Sequence, residues 1–202
     1  MDYEDCTNEI KEIINGKIYY MSGGTSLHSM IIIRLRDEFI KYFIKTNNEK
    51  CKVSTEGLNF YLNPNDKKNY VQPDIAIICD ESKFFKRGYK GVPELIVEVA
   101  SRKTRAKDRG EKFELYAKSS VKEYWLIEPR LKSIEQYILK DNGYSLKKLA
   151  TLPIDPDDEE SEIDDEKEND LQKISSTIFK DLEIDLNTIF LITDVDMLMD
   201  WD

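Results

Sequence analysis

The stretch Val92-Pro-Glu-Leu-Ile-Val-Glu-Val-Ala100 decides the fold, because it sets two carboxylates within a run of aliphatic residues that is typical of a buried β-strand. Successive side chains of a strand point to opposite faces, so Glu98 lies on the face of Ile96 and opposite Val97. An unpaired carboxylate in apolar surroundings costs roughly several kcal/mol. We therefore expect Glu98 to contact a cation, hydrogen-bond donors or a metal ion, the simplest alternative being an arginine of the next segment at the end of the sheet.

A second carboxylate opens the preceding strand. In Tyr70-Val-Gln-Pro-Asp-Ile-Ala-Ile-Ile-Cys79, Pro73 and Asp74 stand directly before an apolar run. Proline is tolerated at the first position of a strand, where its missing N–H removes no ladder hydrogen bond. The pattern predicts a short strand that begins at Asp74.

The segment from Ser101 to Tyr116 leaves the Glu98 strand and is predicted to become a helix. Asp108, Lys112 and Tyr116 are four residues apart, which aligns them along one helical face. The neighbouring row is apolar and consists of Ala106, Phe113 and Ala117. Such a helix can lie on the sheet with Lys112 turned toward the carboxylates.

Two acids on neighbouring strands and a lysine on the same face are the groups that metal-dependent phosphodiester hydrolysis needs. Carboxylate oxygens bind Mg²⁺ or Mn²⁺, the ion activates a water molecule and neutralises the phosphate, and the lysine stabilises the developing charge. Lys112 could instead pair with Asp108, four residues earlier on the helix. That pair would be worth about 0.2–0.5 kcal/mol and would have no catalytic meaning.

These blocks resemble the Uma-type "putative restriction endonuclease" family, within the PD-(D/E)xK nuclease superfamily. The matching positions, in chain order, are 14–22, His28, 72–74, 93–101, Thr104, Asp108, Lys112, Tyr116, 121–129, 179–186 and 189–190. The order and spacing of several separate blocks make the resemblance more specific than a lone pair of acids. It implies a restriction-endonuclease-like fold and a Mg²⁺-dependent endonuclease, with Mn²⁺ as a substitute ion.

Carried over residue by residue, the resemblance implies that Asp74 and Glu98 bind the metal. The superfamily lysine is expected two residues after the glutamate, but position 100 is alanine. In this branch the lysine has moved onto the following helix, which points to Lys112 as the catalytic lysine. Asp108 and Tyr116 would position it.

Two further residues are candidates for the same site. Glu56 lies on the apolar side of an alternating segment, 52–62, that is expected to pair with the Asp74 strand, so it is a candidate third metal ligand. It could equally pair with a lysine at the end of the sheet. His28 follows the glycine-containing turn at 22–26, and the resemblance implies a histidine near the mouth of the site; a capping or packing role is the plainer interpretation.

Length and composition indicate one globular domain over residues 1–202, since 40% of the residues are apolar. No basic and apolar leader or membrane-length apolar stretch is visible, so we expect a cytoplasmic protein without a membrane segment. The three cysteines, Cys6, Cys51 and Cys79, are widely spaced and are expected to be free thiols.

Charge is distributed unevenly along the chain. Residues 155–170 contain eleven acids and one lysine, a net charge of −10 that equals the net charge of the whole chain, so the remaining 186 residues are neutral overall. This acidic segment is expected to be a disordered loop. Basic residues flank the Glu98 strand and are candidates for contact with DNA phosphates, with solvated surface charge as the alternative. Those after the strand are Arg102, Lys103, Arg105 and Lys107.

The predicted architecture is α/β. It has a long N-terminal helix within 19–46, a mixed sheet whose central strands carry Asp74 and Glu98, a covering helix with Lys112, and a C-terminal β-meander over 123–150. The predicted function is DNA phosphodiester hydrolysis. The resemblance also implies that the protein is a homodimer. A catalytically inactive nucleic-acid or protein binding module on the same fold is the alternative, favoured by Ala100.

Overall fold

The computed structural model describes residues 11–21, 23–63, 65–66, 69–153 and 170–190. Its helices and strands are, in chain order, β1 (Lys11–Ile14), β2 (Lys17–Tyr20), α1 (Ser26–Lys45), β3 (Lys52–Thr55), β4 (Ile75–Ile78), β5 (Phe84–Phe85), β6 (Gly88–Tyr89), β7 (Leu95–Val99), α2 (Arg105–Arg109), α3 (Glu111–Lys118), β8 (Glu123–Glu128), β9 (Ser133–Lys140), β10 (Gly143–Thr151), β11 (Lys173–Ser175), β12 (Glu183–Asp185) and α4 (Leu186–Ile189).

A six-stranded mixed sheet organises the described chain, in the order β10-β9-β8-β7-β4-β3. β7 and β8 are parallel and are connected through α2 and α3, whereas the other neighbouring strands are antiparallel. The predicted α/β class, mixed sheet and C-terminal meander are therefore confirmed. β7, which contains Glu98, and β4, which directly follows Asp74, are neighbouring interior strands of this sheet.

The two faces of β7 enter different cores, as its alternating pattern predicts. Val97 packs in the core beneath α1, where Phe39 contacts Trp125 with ring centroids 5.6 Å apart. Ile96, on the opposite face, packs with Tyr116 in the core beneath α3. Because Glu98 shares the face of Ile96, it points toward α3 and away from α1.

The helical segment after β7 is broken at Gly110, which separates α2 from α3. Its buried row is the charged one, since Asp108, Lys112 and Tyr116 are all within 1% of complete burial. The apolar row is less buried: Ala106 is exposed, and Phe113 is only partly buried. The helices therefore turn polar groups toward the sheet face that carries Glu98, which requires these groups to be paired.

The prediction of free thiols is wrong for Cys51 and Cys79, which form a disulfide. In the antiparallel pair of β3 and β4, Lys52 lies opposite Ile78, so the two cysteines occupy the next opposed positions. Their Cα atoms are 4.0 Å apart. Their sequence separation of 28 residues hid this proximity from local sequence patterns.

Other predictions fall on segments that the structure does not describe. The acidic segment 155–170 lies outside the described residues except for Asp170, whose carboxylate accepts a 2.8 Å hydrogen bond from Nζ of Lys148 and forms an ion pair with it. Cys6 and the acidic tail 194–202 also lie outside them. No helix within the described ranges is long and apolar enough to cross a membrane.

Candidate functional site

Asp74, directly before β4, and Glu98, within β7, occupy opposed positions across these two neighbouring strands. Ile75 lies opposite Val97 in the antiparallel pair of β4 and β7, so the next opposed positions are Asp74 and Glu98. The backbone N–H of Val99 donates a 2.6 Å hydrogen bond to Oδ2 of Asp74. This bond holds the Asp74 carboxylate against β7, where both acids are nearly inaccessible to solvent.

Lys112 reaches these strands from α3. Its Nζ donates to Oε1 of Glu98 at 2.8 Å and pairs with Oε1 of Glu12 at the same distance. The hydroxyl of Tyr116, one helical turn further on, donates to the same Glu98 oxygen at 2.5 Å. The lysine thus lies between two carboxylates and is itself buried.

Glu12 is part of this cluster and was missed by sequence reasoning. It lies on β1, is fully buried, and accepts from Nζ of Lys107 at 2.6 Å and from the backbone N–H of Gln72 at 2.9 Å. A signal was present: the Asn15-Gly16 turn predicts a hairpin, and period-two alternation puts Glu12 on the face of buried Ile14.

The pKa values of the cluster follow from burial and from these pairs. Burial raises the pKa of Glu98, and the negative charge of Asp74 adds to this effect. Together they outweigh the attraction of Lys112, so the pKa of Glu98 lies well above its usual range. Burial would raise the pKa of Glu12 as well, but Lys112 and Lys107 outweigh it and lower that pKa. For Lys112, burial lowers the pKa and the carboxylates of Glu98 and Glu12 more than compensate, so it stays protonated.

Asp108 lies beside this cluster without pairing with Lys112. It is almost completely buried, and its Oδ1 has no hydrogen-bond partner among the described residues. Burial raises the pKa of its carboxyl group. The structure therefore favours the pairing of Lys112 with Glu12 and Glu98 over the helical pair with Asp108.

His28, Glu56 and Asp74 form the solvent-facing side of the site. His28 Nε2 is 3.2 Å from Oε1 of Glu56 and 3.5 Å from Oδ1 of Asp74. β3 ends at Thr55, so Glu56 lies in a turn rather than within the strand predicted for 52–62, and its side chain is 49% exposed. Burial lowers the pKa of His28, but the hydrogen bonds and charges of the two acids raise it to about 9.

The basic residues after β7 divide into two groups. Arg105 pairs with buried Glu128 at 2.6 Å, and Lys107 pairs with buried Glu12 at 2.6 Å. Arg102 and Lys103 are exposed and make no ion pair with a described residue. Only these two present their charges to solvent without such a partner.

The donor set fits a divalent cation. Four buried carboxylates, on Glu12, Asp74, Glu98 and Asp108, face two lysines within the described part of the chain. One ligand atom from each of His28, Glu56 and Asp74 also lies within 4.8 Å of the other two. Buried carboxyl groups that outnumber their lysine partners, beside converging oxygen and nitrogen donors, form an environment that suits such an ion.

Comparisons with known proteins identify the family and the fold of this chain. A family model described as "Uma2: Putative restriction endonuclease" matches residues 2–167. An uncharacterized protein from Synechocystis sp. is 31% identical over 144 residues, covering 71% of this chain and 73% of the relative. A crystal structure described as a putative nuclease belonging to DUF820, from Anabaena variabilis, matches with a TM-score of 0.66 at 14% identity and covers 92% of each chain, so it shows the fold alone.

Proposed function

The chain belongs to the Uma2 family, described as putative restriction endonucleases, and we propose that it is an endonuclease that hydrolyses DNA phosphodiester bonds with Mg²⁺, for which Mn²⁺ can substitute. The observation that carries this proposal is the meeting of Asp74, Glu98 and Lys112. The two acids lie on adjacent strands, and the lysine Nζ is 2.8 Å from Glu98. These are the groups that the reaction needs, although the lysine comes from a helix.

Asp74 and Glu98, with Glu56 from the turn after β3, would hold the ion. When bound, the ion lowers the pKa of a water molecule and neutralises charge on the phosphate. The Val99 N–H orients the Asp74 carboxylate. Tyr116 and Lys112 both donate to one oxygen of Glu98, which keeps that carboxylate in one orientation.

Lys112 acts as a fixed cation in this scheme. Burial works against its charge, but Glu98 and Glu12 raise its pKa, so it cannot serve as a general base near neutral pH. An ammonium group has three N–H donors, and the two carboxylates use two of them. The third can donate to a phosphate oxygen and stabilise the negative charge that develops in the transition state.

Arg102 and Lys103 supply the proposed DNA contact. They follow β7 directly, close to the site in sequence, and both are exposed. Arg105 and Lys107 contribute less to DNA binding in this scheme, because each already neutralises a buried carboxylate. We also propose a homodimer, which light scattering of the purified protein tests directly.

The proposal is tested by incubating the protein with supercoiled plasmid and with single-stranded DNA, in Mg²⁺ and in Mn²⁺. Asp74→Asn, Glu98→Gln and Lys112→Met test the site, and Lys118→Met is the matched control because Lys118 is exposed on the same helix. We expect the wild type and the control to cleave and the three site variants to lose cleavage. Circular dichroism establishes that each variant is folded.

Two other outcomes change the assignment. Cleavage by the Lys112→Met variant would support the assignment as a nuclease and show that the helix lysine is not needed for its mechanism. The absence of cleavage in either metal, combined with DNA binding that depends on Arg102 and Lys103, would favour the inactive binding module.

A further inference from the structure

His28 has the geometry of a metal ligand rather than that of a surface histidine. It lies in the first turn of α1, its side chain is only 12% exposed, and its Nε2 faces the carboxylates of Glu56 and Asp74. The three candidate ligand atoms lie within 4.8 Å of one another. They belong to α1, to the turn after β3 and to the residue directly before β4, so three separate segments converge on one point.

The carboxylate of Asp74 is oriented so that one of its oxygens faces His28 and is available to a metal ion. Its Oδ2 accepts the N–H of Val99 at 2.6 Å, which leaves Oδ1 facing His28 at 3.5 Å. Glu98, by contrast, has an oxygen occupied by both Lys112 and Tyr116. The donors that converge without a lysine among them are therefore one imidazole nitrogen and two carboxylate oxygens.

A mixed nitrogen and oxygen donor set discriminates between metals. Mg²⁺ is a hard ion that takes oxygen ligands and retains several waters, and an imidazole adds little to its binding. Divalent ions of the first transition series accept imidazole readily, with affinities that rise from Mn²⁺ through Fe²⁺ and Co²⁺ to Ni²⁺. Glu56, half-exposed in its turn, gives the ion a path from solvent.

We infer that His28 binds a divalent first-row transition-metal ion together with Glu56 and Asp74, and that this ion is held more tightly than Mg²⁺. Only the catalytic role of the ion rests on the proposed function, because binding of the ion can be measured without DNA. It gives His28 a role that a packing or capping residue would not have.

The test is titration calorimetry of the metal-free protein with Mn²⁺, Co²⁺ and Mg²⁺ in separate experiments. We expect wild type to bind Mn²⁺ and Co²⁺ at least about tenfold more tightly than Mg²⁺. His28→Gln should lose about tenfold or more of its Co²⁺ affinity while its Mg²⁺ affinity changes by less than about threefold. Glu114→Gln, an exposed acid on α3, is the control for nonspecific charge effects.

A spectroscopic measurement removes the dependence on variant folding. Electron spin-echo spectra of Mn²⁺ bound to the wild type should show coupling to a ¹⁴N nucleus, and that coupling should vanish in His28→Gln. Absence of ¹⁴N coupling in the wild type, or equal affinity for Mn²⁺ and Mg²⁺, would overturn the inference.

The inference and the proposed function fail separately. Plasmid cleavage in Mg²⁺ by a protein without nitrogen coordination would retain the nuclease and remove His28 from the metal site. Mn²⁺ coordinated by His28 in a protein that cleaves no DNA would support the metal site and count against the nuclease.

Discussion

Replacing Lys112 with methionine should destabilise the fold strongly, because it leaves the buried carboxylates of Glu12 and Glu98 without their shared cation. Methionine keeps most of the side-chain volume, so the loss reports the charge rather than a cavity. Lys112 pairs with Glu12 and Glu98 at 2.8 Å each, and it is 1% exposed. Removing one partner of a buried ion pair costs about 3–5 kcal/mol. Glu12 keeps Lys107 and the Gln72 N–H, and Glu98 keeps Tyr116, so we expect a loss near 3 kcal/mol, the lower end of that range.

The magnitude separates the two interpretations of this lysine. A helical pair with Asp108 on the surface would be worth only about 0.3–0.5 kcal/mol. Urea unfolding at pH 7.5 resolves the difference, since about 3 kcal/mol corresponds to a midpoint shift of roughly 1–2 M for a protein of this size. Lys118→Met is the control, because Lys118 makes an exposed pair with Glu114 four residues away.

Two further measurements test the cause of the loss. The deficit of Lys112→Met should shrink as the pH falls toward 5, because the pKa of Glu98 is already raised by burial and its protonation removes the unpaired charge. The double variant Lys112→Met/Glu98→Gln should recover a large part of the loss, because both charges are then absent. Equal midpoint shifts for Lys112→Met and Lys118→Met would contradict the buried pairing of Lys112 with Glu12 and Glu98.

Three other perturbations have defined outcomes. In metal-free protein the pKa of His28 is raised from 6.5 in the unfolded chain to about 9 in the folded one, which adds about 3 kcal/mol to the free energy of unfolding. This contribution is complete below pH 6.5 and is lost as the pH rises through 9. The urea midpoint of the wild type should therefore fall over this window relative to that of His28→Gln, and parallel curves would contradict the shift. Glu123→Gln should cost about 3 kcal/mol, read from thermal unfolding, because the fully buried carboxylate accepts five hydrogen bonds, including the backbone N–H of Thr177, and an amide nitrogen cannot accept. Reducing the bridge between Cys51 and Cys79, which spans 28 residues, should lower the free energy of unfolding by about 3–4 kcal/mol, and a Cys51→Ser/Cys79→Ser variant should not respond to reductant.

Local periodicity was sufficient to predict the central part of the site. Alternation along β7 placed Glu98 on one face, and four-residue spacing placed Lys112 and Tyr116 together on the helix. Residues 100–122 connect two parallel neighbouring strands, and such a crossover has to pass over one face of the sheet. Two periodicities and one crossover connection therefore bring Lys112 to Glu98, which lies only 14 residues earlier in the chain.

Long-range partners could not be predicted in this way. Glu12 meets Lys107 across 95 residues, and Cys51 meets Cys79 across 28. Local patterns identify the face of a strand on which a residue lies, but not which distant element will cover that face. The pairing of Lys107 with Glu12 shows the same limit, because a basic residue in a charged helix has the same sequence pattern whether it faces solvent or a buried acid.

The position of Lys112 on a helix explains why Glu12 is buried beside it. A lysine two residues after the strand glutamate would be directed to the site by the strand itself, but that position is Ala100, which is 5% exposed and packed in the core. A lysine from α3 reaches Glu98 through a flexible four-carbon stem, and ordering such a side chain costs about 2 kcal/mol of rotamer entropy. Glu12 offsets that cost with a second charged hydrogen bond to Nζ, and it is in turn fixed by Lys107 and the Gln72 N–H. The hairpin of β1 and β2 therefore fixes the orientation of the helix lysine, as the strand backbone would fix that of a lysine at position 100.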